Sequence, residues 1–261
     1  AQPDLEIVLF HFQVPELVFQ HDRHLVRKPL DQARREVELL RNLASGQVVI
    51  GSDPWMADRV VAPALARLLR QYPQLRFRLR TQGWDELQPE LLARRVDVYV
   101  GSPFEVMDAG VRVENFALSS PVIICRSGHP LTRLPEVTIK DVLPFPLLVP
   151  KLPAWYLKWL AQQYRTTQSS EELHDLFLRA EDVTVIRRIV RETDAVTASL
   201  IKTFPDDLSA ADFAMLDIAD LSHIASPGII ATLVDRPVPV AAQGFIDEVL
   251  IEIEHLQAAF R

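Results

Sequence analysis

The sequence predicts an α/β fold in which a parallel sheet carries helices on its faces. Three observations predict it. Within residues 47–101, apolar strand-like runs alternate with amphipathic stretches in the order strand, helix, strand, helix, strand, which is the order that yields a parallel sheet. A second unit of strands and helices follows from 121 to 260. The composition is that of an ordinary globular chain, with 48% hydrophobic and 24% charged residues among 261. It argues against a disordered polymer and is long enough for one large domain or two modest ones.

The front of the chain, 1–28, holds an apolar run at 5–10 that reads as a strand or the tail of a helix. His11, His21 and His24 lie nearby. They lack the tight spacing and fourth ligand of a zinc site and read as surface histidines. From Pro29 the pattern sharpens. Leu30, Ala33, Val37, Leu40 and Ala44 recur at spacings of three and four between charged residues, and Ser45-Gly46 stops the run. The stripe is an a/d seam on a helix, just over two heptads long. It fits either a pairing surface or one amphipathic helix lying on its own domain.

Residues 47–51 form the first strand. Asp53 followed by Pro54 gives an N-cap and first helical residue, and Val60, Val61, Ala64, Leu65, Leu68 and Leu69 share a helix face ending near Tyr72-Pro73. Pro63 inside this pattern predicts a kink and restart. The strand at 75–81 sets Leu75, Phe77 and Leu79 against Arg76, Arg78 and Arg80, the look of a solvated face or a blunted edge strand. After Gly83 come a helix with Leu87, Leu91 and Leu92 and a strand over 96–100. In such a sheet ligands bind at the carboxyl ends of the strands. Those ends are Gly51-Ser52-Asp53 and Gly101-Ser102-Pro103, and the first opens a helix whose free N–H groups suit a carboxylate. Further strands are expected at 121–125, 144–149, 195–200, 213–218 and 228–234. Helices are expected around Trp155, Tyr156, Trp159 and Tyr164, over 181–191 with Val183, Ile186 and Val190 on one face, and over 239–260 with Phe245, Val249, Ile253 and Leu256 buried.

Several function classes drop out. Lys and Arg number 28 against 35 Asp and Glu, a net charge of −7, so any DNA-binding element is local or absent. The sole cysteine, Cys125, excludes an intrachain disulfide and a multi-thiolate metal site and suits a reducing cytoplasm. Its place in an apolar strand marks it as an inert thiol. The apolar runs fall far short of the roughly 20 residues of a membrane span. No charged region leading into an apolar core opens the chain, although a processed secreted protein beginning Ala1-Gln2-Pro3 is an alternative. There is no nucleophile elbow, Walker loop or H-E-x-x-H. His129 is wedged against Pro130, and Asp206-Asp207 read as a solvated turn. The chain is therefore expected not to be an enzyme and to need no cofactor or metal.

Five segments carry a family resemblance in the right order: "VVIGS" (48–52), "APALARLLRQYPQLRFRL" (62–79) running on to "ELLARRVDVYVG" (90–101), "RSGHPL" (126–131), "IVRETDAVTASL" (189–200) and "PVPVAAQGFIDEVLIEIEHL" (237–256). Together they resemble the effector-binding domain of LysR-type transcriptional regulators over about 215 residues. The resemblance implies two Rossmann-like subdomains of the periplasmic-binding-protein type II kind, hinged by crossover strands. Subdomain one would be 46–122 plus 227–261, and subdomain two 123–226. Residues 29–45 would be a linker helix pairing with a second protomer. Residues 1–28 cannot hold the family's winged helix-turn-helix and are expected to be a remnant or extension. Within them, "LVFQHDRHLVR" (17–27) faintly resembles the wing. The implied partners are promoter DNA, through a winged helix-turn-helix not visible in this chain, a homodimer or homotetramer, and a small effector, with a cytoplasmic location and no membrane.

The effector, an organic acid, amino acid, sugar or aromatic, is expected against Ser52, Asp53, Trp55, Gly101, Ser102, Pro103, Lys151, Leu152 and Thr197, with Lys151 as a counter-charge. Family members usually carry small hydroxyls where Asp53 stands. A carboxylate there repels an acidic ligand unless capping engages its charge, so Asp53 is expected to face an amine or hydroxyl. The competing reading is a free periplasmic solute-binding protein of a transporter. The linker-like stripe and the His129-Pro130-Leu131 turn favour the regulator.

Overall fold

The computed structural model describes residues 47–150, 178–180, 182–199, 211–221 and 226–258, all within one structural unit. The expectations for 1–28, for the stripe of Leu30, Ala33, Val37, Leu40 and Ala44, for Lys151 and Leu152, and for the aromatic helix from Trp155 to Tyr164 lie outside them.

Along the chain run β1 (Val48–Ser52), α1 (Pro54–Met56), a π-helical turn (Ala57–Val61), α2 (Ala62–Gln71), β2 (Phe77–Thr81), α3 (Trp84–Leu92) and β3 (Val98–Gly101). Then come β4 (Val111–Leu118), β5 (Val122–Arg126), α4 (Ile139–Val142), β6 (Leu147–Val149) and β7 (Leu178–Arg179). The series closes with α5 (Val183–Glu192), β8 (Val196–Ser199), β9 (Phe213–Asp217), β10 (Ser226–Leu233) and α6 (Val240–Ala258).

The strands form two five-stranded sheets of the same plan, β2-β1-β3-β10-β4 and β7-β6-β8-β5-β9. In the first, β1 runs parallel to β2 and β3, and β10 runs antiparallel to β3 and β4. In the second, β6 runs parallel to β7 and β8, and β5 runs antiparallel to β8 and β9. Both sheets are thus mixed rather than wholly parallel. The antiparallel members are the strands entered by crossover, because a chain passing from one sheet to the other arrives from the opposite end. Two such passages lie side by side. One leads from β4 into β5 and the other from β9 into β10, where Ser226 N–H donates to Ser119 carbonyl at 3.2 Å.

Local chemistry explains the elements. Asp53 caps α1 and Pro54 supplies a helical φ at its first position. The helix then widens. Ala62 N–H bonds to the carbonyl of Ala57, five residues back, before regular turns resume. Pro63 sits at this change of register, where its missing N–H is least costly. The kink expected there takes the form of the π-turn. Arginine-bearing β2 is the sheet edge, with Arg76 and Arg78 exposed and Arg80 paired to Glu90 on α3. Strand β4, not among the expected elements, runs as a ladder along β10 from Val111↔Leu233 to Leu118↔Ser226.

The first sheet is sealed on one side by Leu87, Leu91, Val96, Tyr99, Ile229 and Ala231. The second is buried on both faces. Ile123, Cys125, Val196 and Ala198 point to one core, and Ile124 and Leu148 point with Ile186 and Val190 of α5 to another. Burial of each such aliphatic side chain contributes about 1.5–3 kcal/mol.

Candidate functional site

The strand ends of the first sheet are tied by one carboxylate. Ser52 closes β1 fully buried, its hydroxyl donating to Val100 carbonyl at 2.7 Å. Asp53 follows with extended backbone (φ −70°, ψ 161°). Its Oδ1 accepts Met56 N–H at 3.0 Å, while Oδ2 accepts Ser102 N–H at 2.7 Å and Ser102 Oγ–H at 3.1 Å. The same side chain therefore caps α1 and fastens the turn after β1 to the turn after β3. Burial pushes the Asp53 pKa up, against the pull of the Met56 and Ser102 donors, and burial prevails.

Tyr99 supports this knot from beneath. Its hydroxyl donates to Ser102 carbonyl at 2.8 Å, and its ring lies 4.7 Å from that of Phe104. Burial, with Asp53 and Asp85 nearby, holds the phenol well above its usual range. Gly101 leaves the room the knot needs. A Cβ there would fall 2.3 Å from Tyr99 Oη and 2.8 Å from Asp53 Oδ2.

In the second sheet Thr197 lies in β8, in register with Ile124 of β5 and Leu148 of β6. Register partners share a face, so Thr197 faces the α5 side with them. It is 1% exposed, and its Oγ1 has no hydrogen-bond partner among the described residues. Such an atom costs about 1–3 kcal/mol. In the turn after β5, His129 is wholly buried. Its Nδ1 accepts Leu131 N–H at 3.1 Å, so Nε2 carries the proton and donates to Asp194 carbonyl at 3.2 Å. Packed 4.5 Å from the Phe145 ring, it is a strut of the fold.

Among the described residues, an ion pair joins the two halves. Asp58, on the π-turn that leaves the first sheet, receives the guanidinium of Arg187 from α5. The Arg187 side chain is 13% exposed and that of Asp58 30%.

Of the residues singled out in the sequence, the structure brings together Ser52, Asp53, Gly101 and Ser102. Trp55 is buried in α1 and Pro103 is half-buried after β3, while Thr197 stands in the other sheet. Asp53 turns both oxygens to the chain's own donors. The residues missed are Tyr99, Asp58 and Arg187. Tyr99 reads as one more apolar strand position, and Arg187 occupies the polar face of an expected helix. A π-turn leaves no spacing signal that would aim Asp58. Among the described residues no three His, Cys, Asp or Glu are placed to hold a metal ion, and no helix is long and apolar enough to cross a membrane.

Residues 41–252 match the family described as LysR substrate binding domain. The SDS degradation transcriptional activation protein of Pseudomonas sp. (strain ATCC 19151) is 28% identical over 222 residues, covering 82% of this chain and 70% of that protein. The HTH-type transcriptional regulator GbpR of Rhizobium radiobacter is 30% identical over 114 residues, 43% of this chain and 38% of its own. Among solved structures, HinK, a LysR family transcriptional regulator from Pseudomonas aeruginosa, superposes with a TM-score of 0.60 at 18% identity, covering 90% of this chain and 80% of that one.

Proposed function

Because the chain belongs to the LysR-type transcriptional regulators and carries their effector-sensing domain in a periplasmic-binding-protein-like type II fold, we propose that it binds a small organic molecule in the gap between its two sheets and converts that binding into a change of oligomer geometry. The observation that carries this reading is the pair of sheets of identical plan joined by two adjacent crossovers, within the segment that matches the family. Side-by-side crossovers form a hinge, and a solute touching both halves favours the closed form in proportion to its differential affinity.

The subdomain limits we propose are 46–122 with 227–261, and 123–226. Ser52, Asp53, Trp55, Gly101, Ser102 and Pro103 of the first subdomain, and Lys151, Leu152 and Thr197 of the second, would meet the effector. Closure would reach a partner protomer through the helical stripe of Leu30, Ala33, Val37, Leu40 and Ala44. Promoter DNA would be held by a winged helix-turn-helix, as in the regulators this chain is similar to, and the setting would be cytoplasmic. The relatives matched are regulators rather than enzymes, and they do not favour a transporter's solute-binding protein.

The test is a thermal-shift screen of the chain against organic acids, amino acids, sugars and aromatics. A ligand at one hundred times its Kd stabilises the folded state by about 2.7 kcal/mol, a rise of roughly 5–10 °C for a domain of this size. A full screen with no shift would remove the reading.

A further inference from the structure

We propose that Asp58 and Arg187 form a clasp across the gap between the two sheets, and that an effector carboxylate acts by taking Arg187 from Asp58. The inference rests on the effector reading above and names the chemistry that reading leaves open.

Four observations converge. First, the pair links the turn after β1 to α5, residues 129 apart in sequence, and both side chains are largely withdrawn from water. A guanidinium so placed must keep an anionic partner, since an uncompensated buried charge is strongly unfavourable. The fork of N–H donors fits any planar carboxylate, not that of Asp58 alone. Second, Asp58 is presented by the π-turn. An α-helix turns about 100° per residue, so without the extra residue Asp58 would leave this direction. Such turns recur at functional sites. Third, the first sheet offers an acid no bare negative charge at its strand ends. The Asp53 carboxylate already accepts three donors and is 7% exposed. That removes the objection to acidic effectors raised by its sequence position. Fourth, Thr197 lies on the α5 side of the second sheet with a buried hydroxyl that lacks a partner among the described residues, a second donor on the half that carries Arg187.

Asp58 is then an internal competitor. It pairs with Arg187 across the gap when no effector is bound, and an acid that replaces it takes over the link, meeting Arg187 on the second half and the strand-end turns on the first.

The experiment uses the 261-residue chain and matched pairs of probes, benzoate with benzamide and succinate with succinamide, in thermal-shift titrations of the wild type, Asp58→Asn and Arg187→Gln. In parallel, fluorophores on Gln74→Cys and Glu136→Cys, both exposed positions, report the separation of the halves. Cys125 stays unlabelled, because it is buried and its thiol is pushed up to about 11. An acid should bind where its amide does not. Asp58→Asn should tighten acid binding fivefold or more, while Arg187→Gln should weaken it at least about tenfold, the worth of one charge-assisted pairing. Both variants should lengthen the labelled distance, and Asp58→Arg combined with Arg187→Asp should restore it.

An unchanged distance in both single variants would overturn the clasp even if an acid binds. Weaker acid binding in Asp58→Asn, or equal binding of acid and amide, would overturn the competition. Failure of every probe to bind either the wild type or Asp58→Asn would overturn the acid assignment, and a wider screen that also failed would remove the effector reading beneath it.

Discussion

At the ends of β1 and β3, the side chains of Ser52, Asp53, Tyr99 and Ser102 each have a partner inside the chain, with Val100 carbonyl and Met56 N–H completing the set. In β8 of the second sheet, Thr197 is as deeply buried, yet its hydroxyl has none among the described residues. The contrast separates two uses of buried polarity. A closed network fixes two turns and adds rigidity. An open hydroxyl costs stability until something supplies a partner, which is the condition of a site awaiting a ligand. On the reading proposed above, the turns after β1 and β3 are the fixed wall of the gap, and Thr197 and Arg187 are the groups that would answer an effector.

Substitutions at the closed network should do most damage. Asp53→Ala removes the cap of α1 and strands the buried Ser102 N–H, so unfolding in urea should show a loss of about 3 kcal/mol. The same carboxylate imposes a pH dependence. Its folded pKa is raised above the unfolded value, so the stability it contributes is complete below about pH 4 and is lost as pH rises through the folded pKa. As pH rises above about 4 the difference in unfolding free energy should shift in favour of Asp53→Asn until the folded carboxyl has ionised. A difference independent of pH would contradict burial as the dominant influence.

Next in size, Gly101→Ala drives a methyl into the Tyr99 hydroxyl and should cost about 1–3 kcal/mol by calorimetry. Ser102→Ala deletes one donor to Asp53 but keeps the backbone donor, for a loss of about 1 kcal/mol. Thr197→Val should be smallest on stability and opposite in sign, neutral or stabilising by up to about 1 kcal/mol, because it deletes an unpaired polar atom. Yet it should weaken effector binding about tenfold. If Thr197→Val is as costly as Ser102→Ala, the two regions do not differ as described.

Most of the first sheet is legible in the sequence because its signals are local. The cap Asp53-Pro54, the alternation of Leu75, Phe77 and Leu79 with arginines, and the apolar runs at 47–51 and 96–100 each follow from backbone chemistry within a few residues. The strand β4 escapes because its partner β10 lies more than a hundred residues away, and nothing near Val111 announces the pairing. At the site, sequence identifies the turns but not the bonding inside them. Asp53 reads equally as a cap or as a ligand contact, and only the position of Ser102 relative to its second oxygen decides that both oxygens turn inward. Arg187 and Asp58 come together through packing of α5 against a turn of the other half, which no spacing rule encodes.

Amide hydrogen exchange, with and without the compound that most raises the melting temperature, tests the shared gap most directly. Simultaneous protection of residues 52–58 and 101–104 in one half and 183–199 in the other is the predicted result. Protection confined to one half, or spread evenly over the chain, would contradict a solute held between two hinged sheets.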